Sequence, residues 1–362
     1  MTIVLGIEST AHTFGIAVVR DGKVLSNARR GYITEKGGII PIEAAKYHRG
    51  NKNMIYASAL KDSGINQDNI DAVAISHGPG LSPCLLVGME FAKELSKKLS
   101  VPIVPVNHCI AHLEIGRTTG AKDPVMLYVS GANTQIIAYA SGKFRVFGET
   151  LDIGVGNFID TFARNLGIGF PGGPKIEELA KEGKKFIELP YKVKGMDIAL
   201  SGMLTNLKQK IDKINLHPPK ANNVNKNDGA AIKNNYEKFK ASDSEWNYTK
   251  EDLAYSMQET VFSMLVEIAE RALAHTGKKE LLLGGGVACN SRLQEMCRIM
   301  CTERGAKFFC PDRQFLVDNA GMIAFLGEII YRSGTKEFER KDIEKLDIKP
   351  RQRTDDVEVS WR

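Results

Sequence analysis

Residues 2–20, Thr2-Ile3-Val4-Leu5-Gly6-Ile7-Glu8-Ser9-Thr10-Ala11-His12-Thr13-Phe14-Gly15-Ile16-Ala17-Val18-Val19-Arg20, join two β-rich runs through a polar loop. The runs, residues 2–6 and 15–20, carry the branched and apolar side chains that a half-buried pleated surface favours, and they bracket Glu8-Ser9-Thr10-Ala11-His12-Thr13. Asp21-Gly22-Lys23 then supplies a hairpin turn. A related arrangement returns at residues 125–139, where Val125-Met126-Leu127-Tyr128-Val129 and Gln135-Ile136-Ile137-Ala138-Tyr139 flank Ser130-Gly131-Ala132-Asn133-Thr134, with the turn Ser141-Gly142-Lys143 behind. This is a loose internal repeat, spaced by about the length of one domain. After each hairpin the pattern alternates. Strand 72–76, a helix over 84–99 entered from Gly78-Pro79-Gly80, and strand 103–106 follow the first; a long amphipathic helix over 253–274, a buried strand over 280–283 and a helix over 291–303 lie in the second half. Such alternation predicts layered α/β architecture.

A chain of 362 residues has room for roughly two domains, each with its own core. Its six cysteines, Cys84, Cys109, Cys289, Cys297, Cys301 and Cys310, form no C-x-x-C pair, which predicts reduced thiols in the cytosol. The first residues run straight into a strand, and no apolar run approaches about 18 residues, so neither secretion nor membrane insertion is expected. The net charge of +6 permits a polyanionic partner without requiring one. Lys46, His48, Arg49, Lys52, Arg351, Arg353 and Arg362 are the candidates for phosphate contacts, with solvated charge as the alternative for each. Residues 217–250 are dominated by Asn, Lys, Asp and Ser, too polar for a core, and read as a surface insertion.

Three segments carry candidate chemistry. Asn107-His108-Cys109-Ile110-Ala111-His112 sets two imidazoles at i and i+4, one turn apart on one helix face, as a shared metal ion needs. The same spacing also occurs in ordinary surface or core histidines. The zinc-peptidase pattern requires Glu directly after the first His, and Cys109 stands there instead. Gly284-Gly285-Gly286-Val287-Ala288-Cys289-Asn290 lies between a buried strand and a helix, where missing β-carbons admit a ligand to the backbone; a tight strand-to-helix turn is the other reading. The glycine-rich residues 154–173 contain Asp160 and end in Gly172-Gly173-Pro174-Lys175-Ile176-Glu177, a proline-started helix whose carboxylate serves either a ligand or a cap.

Together these segments resemble the family that makes threonylcarbamoyladenosine in tRNA, formerly named O-sialoglycoprotein endopeptidase. The carriers are Gly6-Ile7-Glu8-Ser9-Thr10-Ala11-His12, Gly78-Pro79-Gly80-Leu81, Asn107-His108 with His112, Tyr128-Val129-Ser130-Gly131, Gly154 and Gly156 with Asp160, Phe170-Pro171-Gly172-Gly173-Pro174, residues 284–290 and Asp318-Asn319-Ala320. They span essentially the whole chain except residues 217–250. The tail, from Arg351-Gln352-Arg353-Thr354-Asp355-Asp356 to Trp361-Arg362, resembles the archaeal and eukaryotic branch.

The resemblance implies a two-lobed actin/Hsp70/sugar-kinase-like fold: residues 1–118 plus 319–345 as lobe I, 119–318 as lobe II, and a tail over 346–362, with the active-site cleft between the lobes. It implies one transition-metal ion per subunit, Fe2+ or Zn2+, held by His108, His112, Tyr128 and Asp318. It implies a nucleotide ligand, threonylcarbamoyl-AMP or ATP, along Tyr128, Val129, Ser130, Gly131 and Ala132. Asp160, Gly173 and Glu177 match positions around the ribose, and Asn290 one near the adenine. The implied reaction is metal-assisted transfer of the threonylcarbamoyl group to the N6 amine of the adenine beside the anticodon, in tRNAs reading codons that start with A, with release of AMP. Implied partners are tRNA, a small atypical protein kinase bound or fused, a small helical dimerising subunit and other KEOPS subunits, in the cytoplasm with no membrane. One departure stands out: sugar kinases of this fold carry Asp in the first hairpin loop, where this chain has Glu8. A sugar-kinase-like phosphotransferase, a metallopeptidase and a nucleotide-switched binding module are the rival functions; the kinase has no need of the His/His/Asp set, and the peptidase lacks its Glu.

Overall fold

Side chains of β1 (Ile3–Glu8) alternate between two apolar environments, as period-2 geometry requires. Ile3, Leu5 and Ile7 face α1 (Pro41–Ser63) and α2 (Ser82–Leu99), while Val4 faces the other side of the sheet. The computed structural model describes residues 1–34, 38–216, 248–334 and 342–362. β1 pairs antiparallel with β2 (Thr13–Arg20), which pairs antiparallel with β3 (Lys23–Gly31). On its other edge β1 runs parallel to β4 (Ala72–Gly78), and β4 parallel to β5 (Ile103–Asn107), giving the order β3-β2-β1-β4-β5. The strands of the opening hairpin run further inward than the sequence suggests, through Glu8 and from Thr13, so the loop is only residues 9–12. The short α3 (His108–Glu114) leaves β5 directly.

The second half repeats the scheme with β6 (Val125–Val129), β7 (Thr134–Ala140) and β8 (Lys143–Glu149) as an antiparallel meander. After it come α4 (Val155–Asn165), α5 (Gly173–Glu182), a small ribbon of β9 (Val193–Lys194) and β10 (Asp197–Ile198), α6 (Ser201–Leu216) and α7 (Lys250–Thr276). β11 (Glu280–Gly284) joins β6 in parallel, α8 (Ser291–Glu303) crosses, and β12 (Lys307–Phe309) completes the order β8-β7-β6-β11-β12. Strand order and sense match those of the first sheet, so the repeat seen in the hairpins extends to whole sheets. A short α9 (Arg313–Leu316) then leads to α10 (Ala320–Arg332).

These elements stack in five layers. α1 and α2 cover the outer face of the first sheet, and α4 to α8 cover the outer face of the second. Between the sheets lie α3 and α10, in a core where Val4, Ala74 and Val106 of one sheet meet Met126, Tyr128 and Leu282 of the other. α10, although last in sequence, packs on the first sheet: a Cβ on Gly6 would sit 2.5 Å from the Ala324 backbone nitrogen. The expected insertion is narrower than residues 217–250. Thr249 caps α7 in a capping box with Asp252, and Lys250 is its first residue; residues 217–247 lie outside the described ones.

Candidate metal and nucleotide site

The Asn107 side chain accepts from the Ile110 backbone N–H at 3.1 Å and so starts α3, making His108 its first residue and His112 its fifth. The two rings stand edge to face with centroids 4.8 Å apart. Asp318, two residues before α10, brings Oδ1 within 3.4 Å of His108 Nε2 and 3.9 Å of His112 Nε2. In a tetrahedral site with bonds of about 2.0–2.1 Å, neighbouring donors lie roughly 3.3–3.5 Å apart. The spacing of His108 and Asp318 matches this, while the ligand atoms of all three residues lie within 4.8 Å of one another, so a shared ion would draw His112 inward. Tyr128 points into the same space because alternate residues of β6 face the layer between the sheets; its ring centroid is 5.1 Å from that of His112.

Glu8, at the end of β1, is wholly buried and orients the set. His108 Nδ1 donates to its Oε2 at 3.0 Å, while the Thr10 backbone N–H and hydroxyl donate to Oε1 at 2.7 and 2.5 Å. With Nδ1 protonated, His108 Nε2 presents its lone pair toward Asp318. Burial opposes charge on His108, yet the Glu8 and Asp318 carboxylates outweigh it and raise the imidazole's pKa well above its ordinary value. Burial likewise opposes ionisation of Asp318, but His108 and His112 hold its carboxyl well below the usual range. Burial keeps His112 neutral, and both of its ring nitrogens lack a hydrogen-bond partner. At 3.9 Å the Asp318 contact is too long to satisfy one. The proton that Glu8 and Asp318 draw onto His108 occupies the place a cation would take, and the His112 ring nitrogens stand without a partner beside it, so these residues fit a metal ion. Among the described residues, His108, His112 and Asp318 are the set of three whose ligand atoms come this close together.

Two residues here escaped assignment from sequence. Glu8 was noted only as a departure from kinases, because its orienting role depends on a partner 100 residues away. His12, from the same loop, places Nδ1 4.0 Å from Asp318 Oδ2 and sets its ring edge-on to Phe170 at 5.6 Å. Spacing in a single sequence carries no signal for either contact.

Beside the triad lies the loop Ser130-Gly131-Ala132, seated on the N-terminus of α4. Gly156 and Asn157 donate backbone N–H groups to Ser130 and Gly131 carbonyls at 3.0 and 2.9 Å. A Cβ on Gly156 would lie 2.7 Å from the Ser130 carbonyl oxygen, so only glycine allows this approach. Gly285 meets the far side of the loop at φ 89°, and a Cβ there would lie 2.4 Å from the Val129 carbonyl oxygen.

The remaining predicted residues have identifiable partners. Asp160 accepts from the Gly172 N–H at 2.8 Å, and burial raises its pKa. Glu177 Oε1 accepts from the backbone and hydroxyl of Ser291 at 2.9 and 2.6 Å. Asn290 caps α8 through Oδ1, accepting from Arg292 and Leu293, and donates Nδ2 to Gln258 Oε1 at 2.9 Å. Glu177 thus braces the start of α8 rather than capping its own helix, and Asn290 ends the strand-to-helix turn as the cap of α8, leaving one carboxylate oxygen and one amide hydrogen for a ligand. Gly173 opens α5, with no atom within 4 Å of where its Cβ would be.

Two of the basic candidates are corrected. His48 is fully buried with Nε2 3.3 Å from the His12 carbonyl, and the Arg362 side chain, 10% exposed, is enclosed by Glu114, Tyr139 and Phe144. Neither faces a phosphate. Arg49, Lys52 and Arg353 are exposed to differing degrees, with partners Glu90, Glu94 and Asp355.

Duplicated five-stranded sheets, a glycine-bound loop on a helix N-terminus and a buried His/His/Asp set define a two-lobed α/β enzyme of the actin/Hsp70/sugar-kinase class. Comparison with known proteins agrees on the fold: HypF from T. kodakarensis matches 94% of this chain at TM-score 0.58 and 15% identity, the chain spanning 49% of that protein. The component A of (R)-2-hydroxyglutaryl-CoA dehydratase from Acidaminococcus fermentans matches 91% of the chain and 98% of its own length at TM-score 0.51. The family model for tRNA N6-adenosine threonylcarbamoyltransferase matches residues 23–325. A tRNA N6-adenosine threonylcarbamoyltransferase of Thermococcus kodakarensis is 50% identical over 99% of both chains, and a probable one of Drosophila melanogaster 46% identical over 100% of this chain and 99% of its own. The probable bifunctional tRNA threonylcarbamoyladenosine biosynthesis protein of Methanosarcina mazei is 46% identical over 99% of this chain but only 60% of its own length. The chain belongs to the tRNA N6-adenosine threonylcarbamoyltransferase family and is a transferase.

Proposed function

We propose that this chain transfers the threonylcarbamoyl group from threonylcarbamoyl-AMP to the N6 amine of the adenine beside the anticodon, in tRNAs reading codons that start with A. The observation that carries this reading is the buried His108/His112/Asp318 set facing the glycine-bound loop at residues 130–132. Two imidazoles and one carboxylate suit zinc or ferrous iron better than magnesium, and such an ion, with Tyr128 beside it, supplies Lewis acidity to the carbamoyl group when bound. The chain's own residues do the rest. Glu8 fixes the His108 tautomer, and the loop from Tyr128 to Ala132 lines the path of the adenylate. The Asp160 carboxylate and the spare oxygen of Glu177 accept from ribose hydroxyls, Gly173 leaves room for the sugar, and the free Asn290 amide hydrogen addresses the base. The amine nitrogen bonds to the carbamoyl carbon as the carbon–oxygen bond to AMP breaks. Burial raises the Cys109 thiol above its usual pKa, and no Ser, Cys or Lys of the candidate motifs comes with an identifiable activating partner, which supports direct transfer over a covalent enzyme intermediate.

tRNA is the acceptor and places the reaction in the cytoplasm. A small atypical protein kinase, bound or fused, a helical dimerising subunit and other KEOPS subunits are the partners; the longer bifunctional relative supports a fused arrangement. Mass spectrometry of digested tRNA after incubation with threonylcarbamoyl-AMP and the partner subunits tests the reading. We expect threonylcarbamoyladenosine with the native chain and none with Asp318→Ala. No modified nucleoside, together with ATP-dependent phosphorylation of a small molecule, would overturn it.

A further inference from the structure

α3 has only seven residues, too short to hold its own shape, so the two imidazoles on it stand only where outside contacts put them. Apolar packing between the sheets holds the body of α3, and one segment, residues 349–362, reaches both of its ends. At the start of the helix, Gln352 Oε1 accepts from Asn107 Nδ2 at 3.0 Å and lies 2.9 Å from His77 Nε2, gripping the residue that caps α3. Just before it, backbone bonds from Lys349 N–H to the His77 carbonyl and from Gly80 N–H to the Pro350 carbonyl, at 2.7 and 3.1 Å, fasten the segment to the end of β4. At the other end, Glu114 closes the helix with a fully buried carboxylate. Trp361 Nε1 and Arg362 Nε donate to its Oε1 at 3.1 and 2.8 Å, and Arg117 forms an ion pair with Oε2. Between the two grips, Val357, Val359 and Trp361 pack on the core between the sheets, and the Arg362 guanidinium lies 5.1 Å over both the Tyr139 and Phe144 rings.

A buried carboxylate at the C-terminal end of a helix is doubly unfavourable, being desolvated and next to the negative pole of the helix dipole. Arg117 pairs with Glu114 Oε2, and Oε1 takes its hydrogen bonds from Trp361 and Arg362 of the tail.

We propose that residues 349–362 form a strap that sets the ligand helix, with Gln352, Trp361 and Arg362 as positioning residues for the metal centre; this rests on the metal reading above. Because a displacement of about 1 Å is enough to spoil coordination, losing either grip weakens metal binding without touching a ligand.

The test uses the full chain and three variants: Gln352→Ala, Trp361→Ala with Arg362→Ala, and Gln352→Glu, which keeps the accepting oxygen. Asp123→Ala is the control, since it removes an exposed partner of Arg362 and Lys278 that lies outside both grips. Cobalt(II) affinity by chelator competition and the visible absorption of the cobalt-loaded chain are read alongside amide hydrogen exchange of α3 in the metal-free protein. We expect a tenfold or greater loss of affinity and an altered cobalt spectrum in the first two variants, partial recovery in Gln352→Glu, and native values in the control. Exchange should quicken in α3 while the outer helices α1 and α2 keep their protection. Lower melting temperature with native cobalt affinity and spectrum would reduce the strap to a purely structural role and overturn the proposal. Should the native chain bind no cobalt, the metal reading fails by itself and exchange still decides: α3 protection unchanged in both variants overturns the strap, and selective loss upholds it.

Discussion

Replacing Glu8 with Gln changes one atom and tests whether this residue governs the metal site. The carboxylate receives three donors: His108 Nδ1–H, the Thr10 backbone N–H and the Thr10 hydroxyl. An amide has one accepting oxygen. If that oxygen keeps the two Thr10 donors, the amide nitrogen faces His108 Nδ1 as a second donor, and the imidazole must move its proton to Nε2. The nitrogen that faces Asp318 then has no lone pair for a metal. Loss of such an orienting partner costs 10- to 100-fold in metal affinity, about 1.4–2.8 kcal/mol. The metal-free fold loses about 1–3 kcal/mol as a neutral amide replaces the charged acceptor of these buried donors. Zinc affinity by chelator competition measures the first and urea unfolding the second. Native zinc affinity in Glu8→Gln would show that His108 is not held through Nδ1, and the orienting role would fall.

Other substitutions probe the frame around the site. Gly6→Ala places a methyl 2.5 Å from the Ala324 nitrogen and 2.6 Å from the Ala320 carbonyl oxygen, so α10 must shift; we expect a loss of about 1–3 kcal/mol in chemical denaturation. Asp252→Ala removes the capping box of α7 and the acceptor for the Lys184 and Lys185 N–H groups at 2.8 Å, for which urea unfolding should show a loss of about 2–4 kcal/mol. Burial pushes His77 down to about 4, below the unfolded value near 6.5. Its contribution is therefore complete above pH 6.5 and is lost as pH falls toward 4, by at most about 3 kcal/mol. Melting curves across that window should show the slope, and His77→Gln should flatten it.

Much of the fold was legible because period-2 runs, turn residues and glycine-flanked loops are local signals. The two hairpins, the helices at Ser291 and Ser82 and the strands of both sheets' centres follow from them. β3 and α1 were not read. β3 is a strongly polar edge strand, and α1 mixes charged and apolar residues around its whole surface, with Ala44, Ala45, Ile55 and Ala59 as its small buried share. The ligand pair His108 and His112 was visible from helical spacing, whereas Asp318 entered only by resemblance, since 206 residues separate it from His112. Residues 284–290 show the reverse case: the strand-to-helix turn was legible from the glycines, whereas the brace from Glu177 to Ser291 joins residues 114 apart and leaves no local signal.

The layer of apolar side chains shared by the two sheets also limits how substrate can enter. Swinging the halves apart at the base of the cleft would expose Met126, Tyr128, Ile137, Leu282 and their partners on α3 and α10, at about 1.5–3 kcal/mol for each large side chain. Opening there would have to expose many such side chains at once, so the floor of the site resists separation. At the rim an edge-to-face contact between His12 and Phe170 links the first hairpin loop to the segment before α5. A tRNA loop too broad for a closed cavity would meet a rigid socket with that contact at its lip.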